Sequence, residues 1–251
     1  MTERMTRKEY ILIVGALGRI GYSLARHMRD RGFGVIGIDY KKLPPNKSDV
    51  FDLFISENIS AESILCKTLA EIKASKLNVV GISNCLYWNT TSWAMQSTEN
   101  KAQVFEQNIN GLLTINFLLC NYAESLILRD SFMSVVLLGS IHAIAAPKFE
   151  HYQSSDMTTP VEYTIAKHGL VGLVRYEAKR NFGSKIRINC VSFGGIRDGQ
   201  PSTFVSNYRD SCSRIGLLDP GHVVPAISFL LSHESQAITG QNIIVDDGWS
   251  L

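Results

Sequence analysis

Apolar stretches alternate with stretches of helical periodicity along the chain. Residues 10–14 are apolar throughout, as is typical of a central parallel strand buried on both faces. The apolar, β-branched runs predict seven strands, at residues 10–14, 34–39, 50–53, 78–83, 133–139, 185–193 and 241–246. The spacing between them predicts helices at residues 18–31, after Ser60, at about 101–125 and 161–181, and from Asp219-Pro220 to near His233.

Repeating β-α units of this length indicate an α/β fold, a single Rossmann-type doubly wound parallel sheet with helices on both faces. We find no linker or internal repeat, so a single domain is expected over residues 1–251. Ligands of such sheets bind beyond the carboxyl ends of the strands. Six candidate residues fall at or just past a predicted strand end: Gly15, Asp39, Asp52, Asn84, Ser140 and Gly194.

Three glycines follow the first predicted strand and open a helix. Gly15, Gly18 and Gly21 are spaced as G-x-x-G-x-x-G. Glycines allow a pyrophosphate to approach the backbone, and the helix N-terminus provides free N–H groups. The motif predicts a dinucleotide site; the alternative is a tight strand–helix turn with no ligand.

Two aspartates are candidates for the adenosine half of that site. Asp39 ends the second predicted strand, where a carboxylate accepts both ribose hydroxyls and repels a 2′-phosphate, which favours NAD. Arg19, Lys41 and Lys42 could instead reach a 2′-phosphate, so NADP stays possible. Asp52 could meet the adenine amino group or be an ordinary loop aspartate.

Tyr163 and Lys167 lie one helical turn apart and so share one face of a predicted helix. A nearby cation stabilises a phenolate, which lets such a tyrosine pass a proton to or from a substrate oxygen near neutral pH. The spacing alone is common by chance. Downstream of a dinucleotide motif it indicates catalysis.

These residues resemble the short-chain dehydrogenase/reductase family over essentially the whole chain. The family's catalytic tetrad corresponds to Asn108, Ser140, Tyr163 and Lys167, and the run at residues 238–246 is similar to the family's last strand. The resemblance implies that Tyr163 is the acid/base, that Ser140 donates to the same oxygen, and that Lys167 also holds the nicotinamide ribose. It implies that Asn108 holds a water in a proton relay.

The resemblance further implies cofactor contacts from Arg19, Ile20, Leu53, Gly194 and Ile196, beside the residues already given. The chain departs from the family pattern at several positions, and Arg19 stands at the usual place of the middle glycine of the phosphate loop. Leu86 and Asp247 stand where glycines are common, and Phe193 stands where a proline is common.

The nearest subgroup is the bacterial flagellin-modification oxidoreductases, which are linked to nonulosonic-acid sugar pathways. On this basis we expect an oxidoreductase that acts on a hydroxyl or ketone of a sugar derivative. Lys148, His151 or Arg197 could bind an anionic group of the sugar or be solvated loop charges, and residues 197–213 are expected to form a mobile lid.

Two other functions use the same residues. A sugar epimerase or dehydratase would oxidise its substrate transiently, and a sensor would bind the dinucleotide without turnover. The resemblance also implies a homotetramer or homodimer built partly from the helices at residues 101–125 and 161–181.

Composition and charge limit the partners. The formal net charge of +2 is close to balanced, which points to a small-molecule substrate rather than nucleic acid or an acidic membrane. The five cysteines have no zinc spacing, so we expect no metal site and read them as free thiols. With no secretory signal or transmembrane run evident, we expect a cytoplasmic protein.

Overall fold

The structure of the protein is a computed structural model that describes residues 7–87, 101–128, 131–153, 155 and 157–251. Within these residues, seven strands form one parallel sheet in the order β3-β2-β1-β4-β5-β6-β7. The strands are β1 (Glu9–Val14), β2 (Gly34–Asp39), β3 (Leu53–Ser56), β4 (Asn78–Asn84), β5 (Met133–Leu138), β6 (Ile186–Phe193) and β7 (Asn242–Val245). This arrangement confirms the predicted doubly wound α/β fold.

Helices cover both faces of the sheet. They are α1 (Arg19–Asp30), α2 (Glu62–Ala74), α3 (Lys101–Tyr122), α4 (Val161–Arg180), α5 (Ser202–Asp210) and α6 (Pro220–Leu231). Side chains of α2, α3 and α4 share one apolar core, and those of α1 and α6 share the other. None of the described helices is long and apolar enough to cross a membrane.

The central strand β1 shows why its sequence is apolar throughout. Leu12 and Val14 pack into the core beneath α2, α3 and α4, whereas Ile11 and Ile13 pack into the core beneath α1 and α6. All four side chains are fully buried. Successive side chains of a strand point to opposite faces, so a strand between two helical layers has no polar face.

The third strand lies further along the chain than predicted. Residues Leu53–Ser56 pair with β2, whereas Pro45–Val50 form a short 3₁₀-helix. Phe51 is buried because its ring covers Gly37 of β2 and meets the ring of Phe54 edge-on, with the centroids 5.1 Å apart. The prediction of a strand at residues 50–53 was wrong because loop residues that cover a sheet can be as apolar as a strand.

A helix that the sequence analysis did not predict lies within the segment expected to be a mobile lid. Residues Ser202–Asp210 form α5, and of its nine residues only Phe204 and Tyr208 are buried. Two apolar contacts one turn apart give a weak periodic signal in a segment of mostly polar residues. The expected helix start at Asp219 is present, with the backbone N–H of Asp219 donating to Nδ1 of His222.

Candidate functional site

A cavity of about 950 Å³ opens at the carboxyl edge of the sheet. The ends of β1, β2, β4 and β5 form its floor, and α3 and α4 form one side. Of the predicted site residues, it brings together Asp39, Asn84 and Lys167. The strand ends meet here because all strands run in the same direction.

The glycine loop between β1 and α1 adjoins this cavity. Gly15 has φ of +73°, and a Cβ atom on Gly21 would lie 2.1 Å from the carbonyl oxygen of Gly15. Only glycine fits at either position. Gly18 is the N-cap of α1 and provides no side-chain cap, and Ile20 is partly buried against the core beneath α1 and α6. The loop therefore leaves the helix N-terminus open to an anionic group.

The Asp39 carboxylate is held at the end of β2 by two backbone N–H groups. Leu17 of the glycine loop donates to Oδ2 at 2.9 Å, and Lys41 donates to Oδ1 at 3.0 Å. An ionised carboxylate has about four acceptor positions, so each oxygen can accept one more hydrogen bond. Asp39 is thus oriented by the glycine loop and still able to accept two hydroxyl groups.

The structure contradicts the prediction that Asp52 and Leu53 contact the cofactor. Asp52 precedes β3 and lies at the amino edge of the sheet, where it accepts hydrogen bonds from Lys8, Arg29 and the backbone of Val35. Burial raises the pKa of Asp52, but these hydrogen bonds outweigh burial and hold it below its usual value. Leu53 begins β3 at that same edge.

The residues that follow β3 line the cavity instead. Glu57, Asn58 and Ile59 come directly after the strand, and the backbone N–H of Glu57 donates to the carbonyl oxygen of Asp39 at 2.9 Å. Sequence reasoning missed them because the strand was placed three residues too early. A strand at residues 53–56 would have put Glu57 and Asn58 at the cavity.

Tyr163 and Lys167 share one face of α4, as their spacing predicted. The Lys167 ammonium lies 5.5 Å from the ring centroid of Tyr163 and donates to the carbonyl oxygen of Leu138 at 2.8 Å. That hydrogen bond fixes the ammonium at the end of β5. Lys167 therefore lies between the cavity and the Tyr163 ring.

Ser140 follows β5 and is buried beside the same helix. Its Oγ accepts a hydrogen bond from the backbone N–H of His142 at 3.2 Å, so its own O–H is left to donate elsewhere. The His142 ring meets the Tyr163 ring edge-on, with the centroids 5.7 Å apart. Ser140, His142 and Tyr163 thus lie together near the end of β5.

Asn108 does not line the cavity. Its Nδ2 donates to Oε1 of Glu162 at 2.6 Å, so it faces α4 in the contact between α3 and α4. The residues of α3 that line the cavity are Gln107, Asn110, Gly111, Leu112, Thr114, Ile115 and Asn116. Asn110 and Asn116 are thus the asparagines of α3 that line the cavity together with Lys167, and the Asn116 side chain is hydrogen-bonded to Asn84 and Leu112.

Asn84 holds the end of β4 in place. Its Nδ2 donates to Oδ1 of Asn116 on α3 at 2.8 Å, and its Oδ1 accepts from the backbone N–H of Leu86 at 3.2 Å. Leu86 itself lines the cavity, so a leucine side chain stands where the family commonly has none.

The chain after β6 approaches the glycine loop. Gly194 donates to the carbonyl oxygen of Val245, and Ile196 forms an isolated bridge with Leu218. From the other side, Arg19 donates to the carbonyl oxygen of Arg197 and forms an ion pair with Asp198. The chain after β6 thus lies against the start of α1, and Arg19, Gly194 and Ile196 are not among the residues that line the cavity.

Two of the three candidate anion-binding side chains have other partners. The ammonium of Lys148 donates to the carbonyl oxygen of Trp249 at 2.9 Å and lies over the Trp249 ring. His151 is buried and pairs with Oγ of Ser211 at 2.8 Å, and burial lowers its pKa. The Arg197 side chain is exposed.

Asp247 has a structural role at its unusual position. Its φ of +55° is a left-handed conformation that favours glycine. Its Oδ2 accepts hydrogen bonds from the backbone N–H groups of Arg214, Ile215 and Gly216. These bonds, with that of Arg214 foremost, hold its pKa below the usual value.

Among the described residues, no three His, Cys, Asp or Glu side chains are grouped to hold a metal ion.

Comparisons with known proteins place the chain in a family. A family model described as Enoyl-(Acyl carrier protein) reductase matches residues 15–250. Post-translational flagellin modification protein A of Campylobacter coli is 30% identical, over 98% of this chain and all of that protein.

Solved structures share the fold. A short-chain dehydrogenase of Leptospira borgpetersenii with bound NAD+ aligns with a TM-score of 0.83 at 23% identity, over 98% of this chain and 94% of the other. A 4-hydroxyisoleucine dehydrogenase complexed with NADH aligns with a TM-score of 0.79 at 21% identity, over 96% and 98% of the two chains. With the match to the family model over nearly its whole length, the chain belongs to the short-chain dehydrogenase/reductase family of oxidoreductases.

Proposed function

We propose that this protein is an NAD(H)-dependent oxidoreductase that acts on a hydroxyl or ketone carbon of a small sugar derivative. The observation that carries the proposal is the position of Lys167. Lys167 lines the same cavity as Asp39 and Asn84, and its ammonium lies 5.5 Å from the ring centroid of Tyr163. One side chain thus connects a nucleotide-sized cavity with a candidate acid/base.

The residues present fit a dinucleotide. The N-terminus of α1 has no side-chain cap, and Gly15 and Gly21 keep side chains away from it. The Asp39 oxygens each retain an acceptor position for a ribose hydroxyl, and their charge disfavours a 2′-phosphate. NAD(H) is therefore the proposed cofactor, and when bound it supplies the hydride donor or acceptor.

The chain's own residues handle the proton and the orientation of the substrate. The Tyr163 phenol gives a proton to the substrate oxygen in reduction and takes it back in oxidation. The free O–H of Ser140 donates to that same oxygen and stabilises the charge that develops on it. Lys167 donates one N–H to the carbonyl oxygen of Leu138, and its two other N–H groups can donate to ribose hydroxyls. Asn110 is the candidate for the proton relay.

The support for a sugar substrate comes from the name of one relative. The Campylobacter coli protein is named for flagellin modification, which agrees with the subgroup that residues 147–163 and 189–201 resemble.

We also propose that copies of this chain associate through α3 and α4 as a homodimer or homotetramer. These helices expose apolar side chains: Phe105, Phe117, Val161, Ile165 and Tyr176. An exposed apolar patch of this kind is typical of an interface. Light scattering coupled to size-exclusion chromatography tests the association, and a monomer at micromolar concentration would contradict it.

The five free cysteine thiols support a reducing, cytoplasmic location.

Cofactor binding and turnover are tested separately. Calorimetric titration should give tighter binding of NADH than of NADPH, and Asp39→Ala should reduce that preference. Tyr163→Phe should retain NADH binding and lose at least 100-fold in turnover of a hydroxy- or keto-sugar. No binding of either cofactor would overturn the proposal. Substrate conversion without net change of NADH would favour an epimerase or dehydratase, and binding without turnover on any sugar would favour a sensor.

A further inference from the structure

A cluster of aromatic rings lies beside the candidate catalytic residues. We define this aromatic wall as His142, His151, Tyr152, Phe204, Tyr208 and Trp249. Trp249 is at its centre, with ring centroids 6.4 Å from His142, 5.7 Å from His151 and 6.1 Å from Tyr208. Through His142 the wall reaches Tyr163.

Two polar atoms of the wall are buried and have no hydrogen-bond partner. They are Nδ1 of His142 and Nε1 of Trp249. His142 is 6% exposed and Trp249 is 1% exposed, so solvent does not satisfy either atom. A buried polar atom without a partner costs stability, and such atoms in native proteins are often found at functional sites.

The neighbouring polar atoms of the wall are paired. Nε2 of His151 pairs with Ser211, and the Tyr208 hydroxyl accepts from the backbone N–H of Gly195 at 2.6 Å. Lys148 is the nearby cation, and it donates to the carbonyl oxygen of Trp249 while its charge rests over the ring. The unpaired atoms thus belong to the ring that contacts Tyr163, His142, and to the neighbour of that ring, Trp249.

The chemistry of the two atoms limits what they can bind. The indole N–H can only donate. Burial, with His168 and His151 as like-charged neighbours, lowers the pKa of His142 to about 4, so the imidazole is neutral at pH 7. A neutral imidazole provides one donor and one acceptor nitrogen. A hydroxyl group can accept from Trp249 and either donate to or accept from His142, and it brings no charge into an apolar wall.

On the basis of the proposed oxidoreductase function, we propose that Nδ1 of His142 and Nε1 of Trp249 bind a neutral hydroxyl group on the carbon next to the one that is oxidised or reduced. Because the His142 ring meets the Tyr163 ring edge-on, a hydroxyl bound at His142 lies beside the substrate oxygen that faces Tyr163, and we therefore assign it to the adjacent carbon. The preferred substrates are therefore 1,2-diols and α-hydroxyketones.

Substrate binding must open the wall, because both atoms are enclosed in this structure. Phe204 and Tyr208 come from α5, and Trp249 comes from the segment after β7. A movement of α5 away from Trp249 would expose both atoms, which agrees with the expectation of a lid at residues 197–213.

Binding is tested by ¹H–¹⁵N NMR of the intact protein saturated with NADH, which allows no turnover of an alcohol. The indole N–H resonance of Trp249 is identified by its loss in Trp249→Phe. We expect trans-1,2-cyclohexanediol to shift this resonance downfield and cyclohexanol to shift it much less. Equal shifts from the two alcohols, or no shift with the diol in a protein that binds NADH, would overturn the inference.

Selectivity is tested by the ratio of kcat/KM for 2-hydroxycyclohexanone to kcat/KM for cyclohexanone, with NADH. We expect this ratio to fall about fivefold or more in Trp249→Phe, which keeps an aromatic ring and loses the N–H. His142→Phe should lower it likewise, and His142→Asn, which keeps a polar atom near Nδ1, should restore part of it. The matched control Phe204→Leu loosens the same wall without removing a polar atom and should keep the ratio within about twofold.

The outcomes separate this inference from the proposed function. A protein that binds no NADH overturns the proposed function, and the inference with it. A protein that binds NADH and reduces both ketones equally well, with no effect of Trp249→Phe on the ratio, leaves the oxidoreductase function standing and overturns the role of His142 and Trp249.

Discussion

The guanidinium of Arg19 at the start of α1 and the carboxylate of Asp198 after β6 form an ion pair, with an N–O distance of 2.5 Å. The same guanidinium donates to the carbonyl oxygen of Arg197 at 2.5 Å. These contacts join the start of α1, next to the glycine loop, to the chain after β6. We expect this connection to slow the release of a dinucleotide bound at the glycine loop.

We expect Asp198→Asn to raise the rate at which NADH dissociates, by about twofold to fivefold. Both side chains are more than half exposed, at 56% and 65%, so water and salt weaken the pair and the effect is modest. Stopped-flow displacement of bound NADH measures the rate. The difference between wild type and variant should shrink at high ionic strength.

The matched control is Glu71→Gln, which breaks the exposed pair of Lys67 and Glu71 on α2. This change should leave NADH dissociation as in the wild type. Slower dissociation in Asp198→Asn would contradict the prediction. It would mean that Arg19, once free of the ion pair, binds the cofactor directly and slows its release more than the ion pair does.

Asp52 and Asn58 should differ in what they support. Asp52→Asn weakens charge-assisted hydrogen bonds at the amino edge and should lower the free energy of unfolding by about 1 to 2 kcal/mol, with NADH affinity kept within about twofold. Asn58→Ala should weaken NADH binding by about threefold to tenfold with little effect on unfolding. Urea denaturation and calorimetric titration of both variants measure these effects. A reversed pattern would restore Asp52 as an adenine contact.

His142 should make the protein less stable as the pH falls. In the folded protein its pKa is about 4, and in the unfolded chain it is about 6.5, so between these values the unfolded chain binds the extra proton. The stabilisation is complete above pH 6.5 and is lost progressively towards pH 4, by up to about 3 kcal/mol. Urea denaturation at pH 7, 6 and 5 measures this loss.

His142→Asn is the comparison for that experiment, because asparagine does not titrate in this range. Carboxylates titrate equally in both proteins, so the difference between their pH profiles isolates the imidazole. Parallel profiles would mean that His142 takes up a proton in the folded state, and its neutral role in the aromatic wall would then be wrong.

Substitutions at Asp247 should separate backbone strain from hydrogen bonding. Asp247→Gly relieves the left-handed conformation but loses the acceptor for three N–H groups. Asp247→Ala loses the acceptor and keeps the strain, so its Tm should be the lowest of the three proteins. Differential scanning calorimetry measures the order. An alanine variant with the same Tm as the glycine variant would show that the left-handed backbone at this position does not lower stability.

The end of β1 and the glycine loop were predictable because local sequence determines both. The apolar run of the buried strand stops at Val14, and the next residues are spaced glycines. Gly21 packs against the carbonyl oxygen of Gly15, where no side chain fits. Tyr163 and Lys167 were predictable because helical spacing alone sets their common face.

The remaining errors come from packing between distant segments. Nothing local indicates that Phe51 is buried by Gly37 rather than by strand pairing, and this displaced β3 and with it Asp52. Whether Asn108 or Asn110 faces the cavity depends on how α3 is rotated against α4. In the structure, Asn108 donates a hydrogen bond to Glu162 of α4. The pairing of Trp249 with His142 joins segments that no sequence motif connects.

The position of β1 between β2 and β4 divides the cleft by chain order. The adenosine half, from Gly15 through Asp39 to Asn58, is contiguous along the first strands and can be assembled by the polypeptide early in synthesis. The catalytic half also needs Lys167 and Trp249, which are synthesised later. A partly folded or truncated molecule could therefore bind a nucleotide without catalytic activity. Retention on an immobilised adenine nucleotide would then not distinguish active from inactive protein.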